Sequence, residues 1–425
     1  MKATKRILSL TPLCALLAAG SVHATNGYFP HGYGLKAKGM GGASIAMTDN
    51  AFAGANNPAT AAFAGNRWDV GADVFMPNRS MDRTFNGAPI ASADSDKGAF
   101  LVPEFGYNRA LSDKIGIGLT VYGNGGMNTT YPAGSNVLGG AGQLGVDLMQ
   151  LIVAPTVAYK FNERHAVGVS PLLVFQRFKA SGLQAFDNPG APAPNMTGAP
   201  GKVTNNDYDS STGIGIRLGY LGRLTDSVSV GASYSPKIHM SSLKDYAGLF
   251  AGAGGFDIPE NFALGLAFQA TPTVLVALDY QRINYSGIPS IGNPSSNMAP
   301  LGASNGPGFG WRDINVWKIG VEWQVNPTWT LRAGYNKGQN PVQPADVSFN
   351  ILAPGVITDH VTVGATVRMD KDSEITVAYM HAFNNSVTGA SMFNNPAFGG
   401  AGGSQIQETI RMNQNAIGVQ YSRKF

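Results

Sequence analysis

Charge is what this chain has little of. Only 13% of its 425 residues are Asp, Glu, Lys or Arg, where a globular domain usually carries nearer a quarter. The dispersed basic residues and the net charge of +4 give no footprint for a nucleic acid. The single cysteine, Cys14, lies in the first twenty residues. The chain beyond it has no thiol and no disulfide chemistry. After the leader no window holds about 18 uninterrupted apolar residues, so no helix is expected to cross a membrane. No two of the six histidines stand at metal-ligand spacing, and there is no G-x-S-x-G elbow. Gly213–Gly219 alternates glycine along a strand and lacks the following helix that a phosphate cradle needs. Nothing points to an enzyme, a cofactor or a metal.

What is present is a leader, a poorly patterned segment and a long series of alternating segments. Met1–Ala24 reads as a secretory signal peptide. Lys2, Lys5 and Arg6 form its basic start, Ile7–Ala19 its apolar stretch, and Val22-His23-Ala24 its cleavage site. Residues 25–65 are rich in Gly, Ala and Asn without strand alternation. They are expected to pack against or inside the β structure formed by the rest of the chain. From residue 66 to 425, segments of about ten residues are apolar at every second position. Fourteen are expected, from Asn66–Ser80 and Gly98–Ala110 to Glu374–Phe383 and Glu408–Phe425. Turns such as Asn162-Glu163-Arg164 and Asn326-Pro327-Thr328 are short. The alternate connections, such as Met81–Lys97 and Ala180–Ser210, are long and rich in Gly and Pro. Short turns on one side and long loops on the other are the outer-membrane-barrel arrangement, with the short turns periplasmic. The fold class expected is therefore all-β, a 14-stranded antiparallel transmembrane β-barrel. The last strand alternates Ile417, Val419 and Tyr421 and closes on Phe425, which resembles the signal read by the barrel-assembly machinery. Lipid and lipopolysaccharide of the bacterial outer membrane would surround it, and a monomer is the default.

Gly39-Met40-Gly41-Gly42-Ala43, Ala46, Asp49-Asn50 and Asn57-Pro58-Ala59 resemble the N-terminal hatch of the FadL family, outer-membrane channels for long-chain fatty acids and other hydrophobic compounds. With the strand count, the resemblance covers nearly the whole mature chain. It implies a hatch over 25–65 inside a barrel over 66–425, and passive transport of a hydrophobic small molecule. Capture by outer loops, hatch-gated binding and lateral release into the membrane complete that expectation. Phe52, Asn57, Pro58, Ala59 and Phe63 are the hatch candidates for the ligand path. Asn57-Pro58 also restricts the backbone to an extended conformation before the proline. Parity places Arg217 and Lys318 mid-strand in the lumen. There they either neutralise a carboxylate, since an unpaired buried charge is costly, or pair with lumenal acids such as Asp279. The resemblance implies an inward kink in the third strand, which the run Gly123, Asn124, Gly125, Gly126 would supply, since glycines mark bulges and bends. It also implies an apolar capture groove between outer loops, for which Tyr246, Leu249 and Phe250 are candidates. A general diffusion porin, a barrel with no specific ligand, and a transporter of neutral aromatic or alkane hydrocarbons remain alternatives.

Overall fold

The computed structural model describes residues 25–96, 98–187, 196–398 and 400–425. The expected signal peptide lies outside them. Fifteen strands run in chain order: β1 (Arg67–Phe85), β2 (Ala88–Asp94), β3 (Phe100–Ala110), β4 (Ile115–Asn128), β5 (Gly145–Lys160), β6 (His165–Ser181), β7 (Asp209–Arg223), β8 (Val228–Ser235), β9 (Asn261–Thr271), β10 (Val274–Ile283), β11 (Ile314–Gln324), β12 (Trp329–Gly338), β13 (Asp359–Arg368), β14 (Ser373–Ala390) and β15 (Ile406–Lys424). Each pairs antiparallel with its neighbours, and β15 pairs back onto β1 from Arg67↔Lys424 to Phe85↔Ile406. β2 pairs with β1 alone, as an outer hairpin, so the closed wall has 14 strands. Closure pairs the last wall strand with the first, so the ring has no terminal strand with a free edge.

Burial is inverted relative to a soluble protein. Along β11, Trp317, Ile319, Val321 and Trp323 are exposed outward, while Val316, Lys318 and Gly320 face in and are buried. At the rim that carries the short turns Trp68 packs on Tyr421 at 5.3 Å, and Phe425 stacks on Tyr107 at 5.8 Å. Such rims of aromatic rings suit the membrane interface.

Residues 25–62 fill the ring and are nearly all buried. The segment holds a helical turn at Leu35–Lys38 and a 3-10 turn at Pro58–Ala62. Its backbone has no ladder of its own, so its N–H groups need partners elsewhere. The wall supplies them. Leu35 N donates to Gln420 on β15, Gly41 N to Thr362 on β13, Ser44 N to Asp279 on β10, Ala51 N to Asp69 on β1 and Gly54 N to Thr120 on β4. Glycine lets the segment sit close to the wall. A Cβ at Gly320 would lie 2.5 Å from the Cβ of Met40, and one at Gly106 would lie 2.6 Å from the carbonyl oxygen of Ala51. Charge ties the helical turn down. Lys38 reaches Asp73 at 2.5 Å and Glu104 at 3.0 Å, and Lys36 reaches Glu374 at 2.7 Å. Burial works against the Lys38 ammonium, but the two carboxylates outweigh it and hold it above the ordinary lysine range.

Candidate ligand path

The wall is open between β3 and β4. Their pairing runs from Ala110↔Gly116 only as far as Phe105↔Val121. Beyond it β4 stays paired with β5 through a bulge between Gly123 and Gly125, up to Asn128↔Asp147. The upper part of β4 is buried on both faces, as a strand turned into the lumen must be. The window is closed above by Asp96 N donating to Thr130 O at 2.8 Å. Asn124 is the bulged residue. Gly125 has φ 150 and lies so close to the Tyr28 carbonyl that a side chain has no room there. Gly126 N donates to the same carbonyl at 3.3 Å. The run Gly123–Gly126 thus meets the start of the plug at the edge of the window.

Two cavities lie along the interior. The outer one is framed by loops and strand tops, and every lining side chain except Ser290 is apolar. Leu249 and Phe250 line it beside Phe178, Leu301 and Phe309. Tyr246 stands behind it, edge-on to Phe178 at 4.8 Å, with its hydroxyl donating to Asp207 O at 2.6 Å. The inner cavity lies between the plug and β7 to β11. Phe29, Tyr33 and Ile45 form its apolar side. Arg217, Lys318 and Asp279 form the charged side. Aromatic rings join the two cavities. Phe250 packs on Phe256 at 4.9 Å, Phe256 on Tyr28 at 6.2 Å, and Tyr28 on Phe29 at 5.2 Å. Tyr285 and Trp311 brace Tyr28 from the side at 5.4 and 6.3 Å.

Arg217 and Lys318, on strands that are not neighbours, meet at the inner cavity. Nη1 of Arg217 is held by the carbonyls of Gly54 and Ala55 and lies 3.2 Å from the Tyr122 hydroxyl. Lys318 is nine-tenths buried and makes no hydrogen bond or ion pair within 4.0 Å among the described residues. It faces Asp279 in the β10–β11 register.

The hatch candidates fall elsewhere. Phe52 is buried under Gly34 and lines neither cavity. The side chain of Asn57 caps Ala59 N at 3.1 Å and donates to Ile45 O and Tyr220 O at 2.8 Å. Pro58 and Ala59 lie against Gly168 and Gly219, docking the plug on β6 and β7. Phe63 sits at the short-turn end of the barrel between Arg223 at 4.3 Å and Lys160 at 4.6 Å. Sequence pattern alone does not assign Tyr33, Asn56, Asn261 or Gln281 to a site, and all line the inner cavity. Strand parity could have found Gln281, two residues beyond Asp279.

Fold and cavities together define an outer-membrane channel with a plugged lumen and an apolar approach. The family model for outer membrane protein transport proteins (OMPP1/FadL/TodX) matches residues 31–425, and the chain belongs to that family. It is therefore an outer-membrane β-barrel of a family that transports hydrophobic compounds, not a family of enzymes. Among solved structures it is similar to the toluene transporter TodX of Pseudomonas putida, with 22% identity, TM-score 0.66, and coverage of 93% of this chain and 99% of that one. A Pseudomonas aeruginosa FadL homologue is similar at 16% identity and TM-score 0.70, covering 96% and 100%. The Ralstonia pickettii toluene transporter TbuX is similar at 19% identity and TM-score 0.62, covering 93% and 99%. At these identities the likeness speaks for the fold. The search of the curated proteins finds no match.

Proposed function

We propose that this protein takes up hydrophobic compounds with an anionic head, of the long-chain fatty acid class, by passive diffusion across the outer membrane. The observation that carries this reading is the meeting of Arg217 and Lys318 at a cavity joined by aromatic rings to an apolar outer pocket. The outer pocket would collect the acyl chain, since burial is worth about 0.8 kcal/mol per methylene. The head would travel past Tyr28 to the two cations, where Lys318 has a donor to spare. Residues 25–65 would act as the hatch, 66–425 as the barrel, and the window between β3 and β4 as the release route into the membrane. Hatch movement would gate that route. The N-terminus would lie on the periplasmic side of the lumen. Phe425 would serve recognition by the barrel-assembly machinery, with lipopolysaccharide around a monomer.

The test is equilibrium binding of a labelled long-chain fatty acid to the purified mature protein. Saturable binding weakened by Lys318→Met or Arg217→Ala supports the reading. Binding indifferent to both substitutions contradicts it.

A second reading, uptake of neutral aromatic hydrocarbons, is favoured by the lining of the outer pocket, apolar except for Ser290. TodX and TbuX are described as toluene transporters. A general diffusion porin is disfavoured by the filled lumen.

A further inference from the structure

The wall has another irregularity, far smaller than the window and on the far side of a panel of four strands, β4 to β7. The regular pairing of β7 with β8 covers only Leu218↔Tyr234 to Arg223↔Ser229. It resumes as a single bridge, Gly213↔Met240. Between these two bridges β7 advances five residues and the partner chain six, so the register slips by one. Pro236 stands in the interval and has no N–H to give to a ladder. By contrast, β5 and β6 pass Pro155 and Pro171 with their register kept, from Val153↔Leu173 to Val157↔Val169.

Side chains fill what the backbone leaves open. Gly213 and Gly215 face the lumen without side chains. The space over Gly215 is taken by Ile238, whose Cγ1 would lie 2.6 Å from a Cβ built there, and Met240 covers Gly213. Ile238 is buried, and its backbone is paired on the other side with Ile258 at 2.9 and 3.1 Å. On the lipid side Ile214 is 77% exposed, against 39% for Ile216 and 45% for Leu218 on the same row. Little from the neighbouring chain covers Ile214. At the lower end of the break Arg217, Ser233 and Asn261 line the inner cavity.

We infer that the break between β7 and β8 is a second lateral gate, closed by the Ile238 side chain, between the inner cavity and the outer leaflet. Its cargo is the same class of hydrophobic compound, and to that extent the inference rests on the function proposed above. Moving a side chain and a stretch without regular pairing costs far less than unzipping a ladder. Bilayer water is absent at this depth, so a break facing lipid must keep its polar backbone groups turned to protein. Ser235 does part of this by donating its hydroxyl to Ile216 O at 3.3 Å.

The two openings are also linked across the panel. Asn124, the bulged residue at the window, donates to Gln150 at 3.0 Å. Gln150 donates to Gln176 at 2.9 Å, and Gln176 donates to Ser211 at 3.3 Å and to Phe256 O at 3.2 Å. All four side chains are buried. The relay begins at the first opening and ends two residues from Gly213. Strain at one edge of the panel therefore reaches the other.

The mature chain has no cysteine, which permits a direct test. Ile238→Cys is prepared in the full protein, embedded in outer-membrane vesicles, and treated with a lipid-partitioning maleimide and with a water-soluble one. Ala277→Cys, buried mid-strand where β10 is paired with both β9 and β11, is the closed control, and Ile214→Cys is the lipid-exposed control. The gate predicts that Cys at 238 reacts with the lipid-phase reagent at least tenfold faster than Cys at 277, and faster than with the water-soluble reagent. Labelling at 238 no faster than at 277 overturns the gate. Met240→Cys, under the same comparison, serves where the first variant does not fold. Labelling needs no cargo, so a negative result leaves the uptake reading standing.

Discussion

Asp279 and Lys318 face each other across β10 and β11, but they are held differently. One oxygen of Asp279 accepts from Ser44 N at 2.7 Å and from Ile45 N at 3.1 Å, so this carboxylate is committed to the plug. The Lys318 ammonium has no such bond among the described residues. The wall thus offers one fixed anion to the plug and one available cation to the cavity.

Replacing Asp279 with leucine leaves both amides without a partner. Each buried unsatisfied amide costs about 1–3 kcal/mol. Hydrogen exchange at residues 44 and 45 should accelerate at least tenfold, with exchange in β14 and β15 unchanged. Equal protection in the variant would show that Asp279 does not hold the plug.

Lys38→Met removes the ammonium between Asp73 and Glu104, which are both buried. Leaving a buried charge without its partner costs about 3–5 kcal/mol. The plug should become sensitive to added protease at residues 34–42 while the barrel keeps its resistance. A variant as resistant as the wild type would mean that other contacts suffice.

Gly320→Val places a branched side chain where Met40 already sits. Overpacking of this kind costs about 1–3 kcal/mol. Exchange at residues 39–42 should rise, whereas Gly134→Ala, at a site with nothing within 4 Å, should change nothing.

Deleting Asn124 removes the bulge and restores a continuous register between Gly123↔Leu151 and Gly125↔Gln150. Uptake by whole cells should fall several-fold while binding by the purified protein persists. Loss of binding with unchanged uptake would separate the bulge from release.

Most of the wall is legible because a strand exposed to lipid on one face and a lumen on the other writes its period into the sequence. Each of the fourteen expected segments overlaps a wall strand. The hairpin β1–β2 falls where the sequence pattern suggests a loop, although Asn86-Gly87 carries the turn, with φ 47 and φ 83, and Asn-Gly is a strong hairpin signal. Its strands stay hidden because the flanking residues face water and keep little alternation. β8 ends at Ser235, because Pro236 interrupts the ladder and the chain beyond it slips register. Parity brings Arg217 and Lys318 to the lumen. It does not reveal that they meet, because closure of a barrel sets which strands face one another across it. The link through Phe250, Phe256 and Tyr28, braced by Tyr285 and Trp311, comes from the plug and two long loops, where no period exists to read.

The most direct test of the central claim compares a long-chain fatty acid with its methyl ester, which has the same chain and no charge. The acid should bind the wild-type protein at least tenfold more tightly, about 1.4 kcal/mol, and Lys318→Met should bring the two ligands level. An ester that binds the wild type as tightly as the acid would contradict an anionic-head site at Arg217 and Lys318.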